Sequence, residues 1–203
     1  MEKLVITKDY QGIVDDGYRY KLNGNLISAT SIDIQLDKGL YVQGFIEAGR
    51  SIKADGFIKA GWFIEADGFI KADGFIKADG SIKAGRSIKA DGFIEADGSI
   101  KAGRSIEAGW FIEADGSIEA DGSIKAGGSI EADGSIKAGR YIKAGEGILA
   151  QLAITCNGTL KAKLGIYSGV CAWKEPTEAE QTITCGKLDG TVKYGTLKLI
   201  ESE

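Results

Sequence analysis

From Ile46 to Ile148 an isoleucine stands at every sixth position, eighteen times without a break, and an alanine follows two places after each one. Hexads such as Gly-Phe-Ile-Lys-Ala-Asp and Arg-Ser-Ile-Lys-Ala-Gly fill half of the 203 residues. A period of six matches neither the turn of an α-helix nor a heptad. It suits a chain that runs straight for three or four residues, turns a corner and repeats, which predicts a β-solenoid. Within Ser-Ile-Lys-Ala the side chains alternate, with Ile and Ala inward and Ser or Phe and Lys or Glu outward. The other two positions form the corner, and at least one of them is glycine at every corner from Gly49-Arg50 to Gly145-Glu146. The expected reason is a positive φ, carried by the second residue in Asp-Gly and by the first where Gly precedes Arg, Trp, Gly or Glu.

The number of hexads per coil follows from which residues stack. A register of eighteen puts Arg50, Arg86, Arg104 and Arg140 in one corner column, and Phe57, Phe75, Phe93 and Phe111 in another. A register of twelve scatters both sets. Ladders of like side chains pack well, so the coil is expected to be triangular, with eighteen residues. The expected fold is all-β: a three-sided parallel β-solenoid over residues 44–169, of about seven coils counted at one per three hexads, with β-rich caps. In that coil the alanines keep the sides close where the triangle narrows, and Ala-to-Leu changes would overpack the interior.

A solenoid leaves raw strand edges at both ends and needs caps or partners. Residues 1–43 form the expected N-terminal cap, with Ile34/Leu36 and Leu40/Val42 holding the hexad phase as an atypical terminal coil. Residues 170–203 begin with the break at Trp173-Lys174-Glu175-Pro176, and Thr182-Ile183-Thr184-Cys185 followed by Leu188-Asp189-Gly190-Thr191 suggests a closing hairpin. This segment reads as a cap, a dimer contact or a binding module, and the sequence leaves all three open.

Composition narrows the chemistry. Thirty glycines against one proline fall at fixed phase, so the bias belongs to the architecture and does not signal disorder. Twenty-five basic and 29 acidic residues nearly cancel, leaving no net field toward nucleic acid or membrane. There is no apolar run of a signal peptide or transmembrane span, and three cysteines lie outside the main repeat, which fits a reducing, cytoplasmic setting with free thiols. Without histidine there is no Ser-His-Asp or Cys-His site and no His metal ligand. Cys-x-x-Cys spacing, a phosphate-binding Gly-Lys-Ser/Thr and the nine-residue calcium-roll pattern are missing as well. The expectation is a protein without enzymatic activity, cofactor or metal.

The register of eighteen turns outward charges into stripes. A basic edge collects Arg50, Lys53, Lys71, Arg86, Lys89, Arg104, Lys125, Arg140 and Lys143, interrupted by Glu107. An acidic edge collects Asp79, Glu95, Asp97, Glu113, Asp115, Glu131 and Asp133. Like charges stacked at about 4.8 Å repel, so persistence of one sign down a column suggests a partner of the other sign, against the plainer reading that the charges only keep the surface soluble. The phenylalanine column either supports its own face by stacking or marks an association strip. Trp62 and Trp110 read as isolated surface anchors.

A six-residue period on three sides resembles two families. The left-handed hexapeptide acyltransferases place a small residue two positions before the aliphatic one, and here Ala comes two positions after it; their catalytic histidine is also missing. The bactofilin cytoskeletal polymers are similar in architecture over residues 44–168, and that likeness implies a filament subunit or fibre segment joined through terminal coils. Folded flanks argue against open ends. More loosely, near-identical hexads resemble phage and mobile-element proteins that block host defence complexes, and carboxylate columns resemble the pentapeptide-repeat mimics of DNA. The reading carried forward is a binding or inhibitor protein that meets a protein or nucleoprotein partner through Asp97, Glu113, Asp115, Glu131 and Asp133, with Phe93 and Phe111 beside them. A filament is the alternative, and a second copy of the chain is the other candidate partner, through residues 170–203.

Overall fold

A computed structural model describes residues 2–200, and in it the chain winds as a three-sided parallel β-solenoid. We number the faces in the order the chain visits them. Face I opens with Leu26–Ser28, face II continues with Ile32–Ile34 and face III with Gly39–Val42, after which Ile46–Ala48 returns to face I. Within the repeat each strand lies in register on the strand eighteen residues on, as Ile76 on Ile94 on Ile112 and Ala78 on Ala96 on Ala114. The alternation Ile-in, charge-out, Ala-in fills the triangle. All eighteen isoleucines of the repeat are at most 1 % exposed, and the alanines beside them are buried too. Each such isoleucine contributes about 1.5–3 kcal/mol of burial, before the ordering of its rung is counted.

The column is longer than the periodicity alone suggests. Face I carries ten stacked strands, from Leu26–Ser28 to Thr196–Leu199, in place of about seven coils. At about 4.8 Å per rung that is roughly 48 Å of column. Both flanks continue the winding with other residues at the inward positions: Leu26, Leu40 and Val42 above, and Cys156, Leu160, Ile183 and Cys185 below, all buried. The expected phase of Ile34/Leu36 is corrected by two residues. Ile32 and Ile34 stack on Ile52 and Ala54, and the corner at 35–38 holds two extra residues, with Leu36 turned inward.

The C-terminal hairpin is also replaced. Thr182–Cys185 runs parallel on Ile154–Cys156, Lys187–Tyr194 parallel on Thr159–Ser168, and Thr196–Leu199 parallel on Thr182–Cys185. Residues 170–181 make an excursion from the face III–I corner and return the chain to face I in its original direction, so a parallel rung forms. The excursion is held by a reciprocal cap: the Thr177 amide donates to Glu180 Oε2 at 2.9 Å, the Glu180 amide donates to Thr177 Oγ1, and Lys174 Nζ sits 2.6 Å from Glu180 Oε1. Together these hold the Glu180 carboxyl down at about 2. An antiparallel hairpin does occur, at the other end, between Ile13–Asp15 and Tyr20–Leu22.

Corner glycines serve a purpose other than the expected one. Among the described residues, positive φ belongs only to Gly12, Gly17, Gly24, Gly39, Gly169 and Gly195, all outside the repeat. Inside it, successive rungs come too close for a side chain. A Cβ on Gly109 would stand 2.0 Å from the Asp91 carbonyl oxygen of the rung above. In Asp-Gly corners the tight contact moves to the second residue; a Cβ on Gly98 would stand 2.5 Å from Ser81 Oγ.

Candidate functional site

Face III brings the expected acidic and aromatic residues together. The rungs of Phe75, Phe93 and Phe111 each present, from the leading corner to the trailing one, an aromatic ring, a mid-strand charge and a corner aspartate, whereas the rung of Phe57 ends at Gly61-Trp62. The rings of Phe57, Phe75, Phe93 and Phe111 stack face to face at centroid distances of 4.5–4.8 Å and within 4° of parallel. They are half-buried, so the ladder supports its own face and still shows an apolar edge. Above it Gly39 pairs with Phe57, and a Cβ there would lie 2.5 Å from the ring. Below it the column continues as Ser129.

Beside the ladder Glu95, Glu113 and Glu131 occupy the same position on three successive rungs. Asp97, Asp115 and Asp133 follow them at the trailing corner. The column is not acidic throughout. Lys59 and Lys77 occupy the two rungs above Glu95, with Lys77 paired to Glu95 and Lys59 Nζ 3.7 Å from Asp79. Below that point neutralisation stops. Among the described residues Asp97, Glu113, Asp115 and Glu131 form no ion pair, and Asp133 has only the Gln151 amide as a donor. Partial burial pushes the Glu113 carboxyl above its ordinary value, and the charges of Glu95, Glu131 and Asp115 push it the same way.

Face I behaves differently with the same hexads. Its mid-strand column reads Glu47, Glu65, Lys83, Lys101, Glu119, Lys137, and unlike charges meet across rungs at 2.6 Å for Lys83–Glu65 and 3.2 Å for Lys101–Glu119. Two features there lie outside the expectations from sequence. Phe45 stacks on Phe63 at 4.6 Å, and below them a serine ladder runs from Ser81 to Ser135, each hydroxyl accepting from the next rung's serine amide. Both lie at the position before Ile, eighteen residues apart, and that spacing is their mark in the sequence.

The basic residues lie on face II and on the corner leading into it. Lys53, Lys71, Lys89, Glu107, Lys125 and Lys143 follow one another in register. Arg86 and Arg104 stand on adjacent rungs, with Arg140 two rungs below Arg104. Lys53 and Lys71 pair with Asp55 and Asp73 at 3.1 and 3.0 Å. Arg86, Lys89, Arg104, Arg140 and Lys143 have no ion pair among the described residues. Trp62 and Trp110 are about two-thirds exposed, on the corners at the two sides of face III. Trp110 immediately precedes Phe111 and so extends the apolar edge of the ladder. The thiols are dispersed: Cys156 and Cys185 stack in the core, with burial pushing Cys156 up to about 11, whereas Cys171 sits in the excursion.

These features define a class, the three-sided parallel β-solenoids, with one face divided between stacked aromatics and unneutralised carboxylates. Compared with known proteins, the chain matches no family model, no curated protein and no solved structure.

Proposed function

We propose that the protein is a non-enzymatic binding protein whose face III docks on a cationic surface of a protein or nucleoprotein that ordinarily holds nucleic acid. The observation that carries this reading is the stack of Glu113 and Glu131, flanked by Asp97 and Asp115, with no cation between them, on a molecule whose face I pairs Glu65 with Lys83 and Glu119 with Lys101 across its rungs. Two carboxylates per rung give about one charge per 2.4 Å of column. That lies between the one per 1.7 Å of duplex DNA and the one per 3.4 Å of a single strand. A rigid ladder at that density offers a basic groove a phosphate-like row without the entropy of ordering it. The phenylalanine edge and Trp110 supply apolar anchoring next to the charge.

The test is titration of the intact chain with a short lysine-rich peptide, followed by fluorescence anisotropy at several salt concentrations. Each exposed charge contact contributes about 0.2–1 kcal/mol, so Glu113→Gln, Asp115→Asn and Glu131→Gln together should weaken binding about tenfold and flatten its salt dependence. Arg86→Gln with Arg104→Gln on the basic corner should leave binding unchanged or tighter. Equal affinity of the parent and the triple variant would overturn the assignment of this face.

A further inference from the structure

The two ends of the column differ. At the N-terminal end the interior is closed: Ile6, Leu22 and Leu26 are buried, Tyr10 and Ile13 pack over them, and Ile13–Asp15 pairs antiparallel with Tyr20–Leu22, which stacks on Gly39–Val42. At the C-terminal end the interior is open. Leu197 and Leu199 continue the inward column of Ile183 and Cys185, yet they are 38 % and 54 % exposed, and Ile200 beside them is 40 % exposed. Leu188 and Val192, which continue Leu160 and Ile166, are only half-covered. The outer edges of Lys187–Tyr194 and Thr196–Leu199 have no strand partner among the described residues, so all three faces end in free backbone donors and acceptors.

We propose that this end is a dimer interface between two copies of the chain, joined tail to tail about a two-fold axis perpendicular to the column. The surface is specific in shape: a triangle of three strand edges around an apolar centre. What completes it must be another triangle with strands at the same spacing and aliphatic residues at its middle. Among the described residues one such surface exists, and it is this one. Head-to-tail growth would need a matching open end at the N-terminus, where the hairpin and the segment 7–12 lie across the core. The contact therefore closes after two copies, as an isologous interface does. In the dimer the edge strands pair antiparallel across the axis and Leu197, Leu199, Leu188 and Val192 are covered, in the same way that a further coil would cover them.

Sedimentation velocity over roughly a hundredfold range of concentration tests this, since dimer fraction follows mass action. The 21.4 kDa chain should convert to twice that mass and stop there. Leu197→Glu with Leu199→Glu should keep the mass of one chain throughout, while circular dichroism and amide exchange of the central rungs stay those of the parent. A second measurement is independent of that variant. In a Cys171→Ser background, spin labels on Lys198→Cys should report a short distance between copies, whereas labels on Tyr18→Cys should report none, being about 100 Å apart at ~4.8 Å per rung. A single-chain mass at every concentration overturns the proposal. So does growth past two chains, which would mean head-to-tail assembly.

Discussion

Because neighbouring rungs approach closely at the corners, a side chain placed on a corner glycine should be costly whether or not it tolerates a positive φ. Gly109 is a clear case. Its amide donates to the Ala90 carbonyl at 3.0 Å and that of Trp110 to the Gly92 carbonyl at 3.2 Å, so the corner is bonded to the rung above on both sides of the Asp91 carbonyl. A Cβ placed 2.0 Å from that oxygen is more than an ångström short of ordinary contact, and it meets backbone, which has no rotamer to yield. Gly109→Ala must therefore lift the corner. Overpacking of this kind costs about 1–3 kcal/mol, and losing one of the two flanking bonds about 1 more, so the expected destabilisation is about 2–4 kcal/mol. It should appear as a lower urea midpoint at unchanged slope. Gly109→Asn separates the two explanations, because Asn tolerates a left-handed backbone and Ala does not. Under close approach the two variants are equally harmful. Converting the whole corner to the type directly above it, Gly109→Asp with Trp110→Gly, should restore stability to within about 1 kcal/mol of the parent, since Trp110 is a surface residue. A cost of Gly109→Ala below about 0.5 kcal/mol, or an Asn variant clearly more stable than the Ala variant, would refute the reasoning.

Two further outcomes follow from the thiols and the carboxylates. In the native protein iodoacetamide should modify Cys171 alone, since Cys156 and Cys185 are buried and burial raises both thiols; mass spectrometry should find one adduct natively and three in denaturant. The folded-state value of Glu113 is raised above its ordinary 4.5, so its proton is taken up early on acidification. As pH falls through that window the repulsion within the column is relieved and the folded chain gains stability at this site, while affinity for the lysine-rich peptide falls. Glu113→Gln should remove the stability response and reduce, without abolishing, the loss of affinity, since Asp97, Asp115, Glu131 and Asp133 still protonate.

The coil was legible because its signal is redundant: eighteen isoleucines vote for one phase, and the arginine and phenylalanine columns choose eighteen over twelve. The flanks broke that redundancy. Leu replaces Ile, and Val42, Cys156 and Cys185 replace Ala, at inward positions, and the two extra residues at corner 35–38 shift the phase, which hides three of the ten rungs. The parallel course of Lys187–Tyr194 was hidden for a different reason. A strand's direction depends on where the excursion at 170–181 re-enters the column, and that is settled by Ile183 and Cys185 finding the core, which lies far from the turn residues that suggested a hairpin. Of the face III site, the columns were legible and the pairing was not. Whether Lys77 neutralises Glu95 depends on side-chain reach across a rung, which the register permits without dictating.

The mid-strand charge is the one position of the hexad that the fold leaves free. Ile and Ala are fixed by the interior, glycine by the approach of neighbouring rungs, and the residue before Ile by its ladder, but Lys and Glu alternate between rungs with no change in the core beneath them. Ile106 to Ala108 and Ile124 to Ala126 stack alike although one carries Glu107 and the other Lys125. Sign at this position is therefore not needed to specify the coil, and electrostatics alone favours alternation. Face I follows that preference in part: Glu65 pairs with Lys83 and Glu119 with Lys101, although Glu47 stacks on Glu65 and Lys83 on Lys101. Face III departs from it over Glu95, Glu113 and Glu131, where burial first and the neighbouring carboxylates second raise the Glu113 carboxyl. Three carboxylates in a row that the fold does not require, the lower two with no ion pair among the described residues, are what a surface kept for a cationic partner should carry.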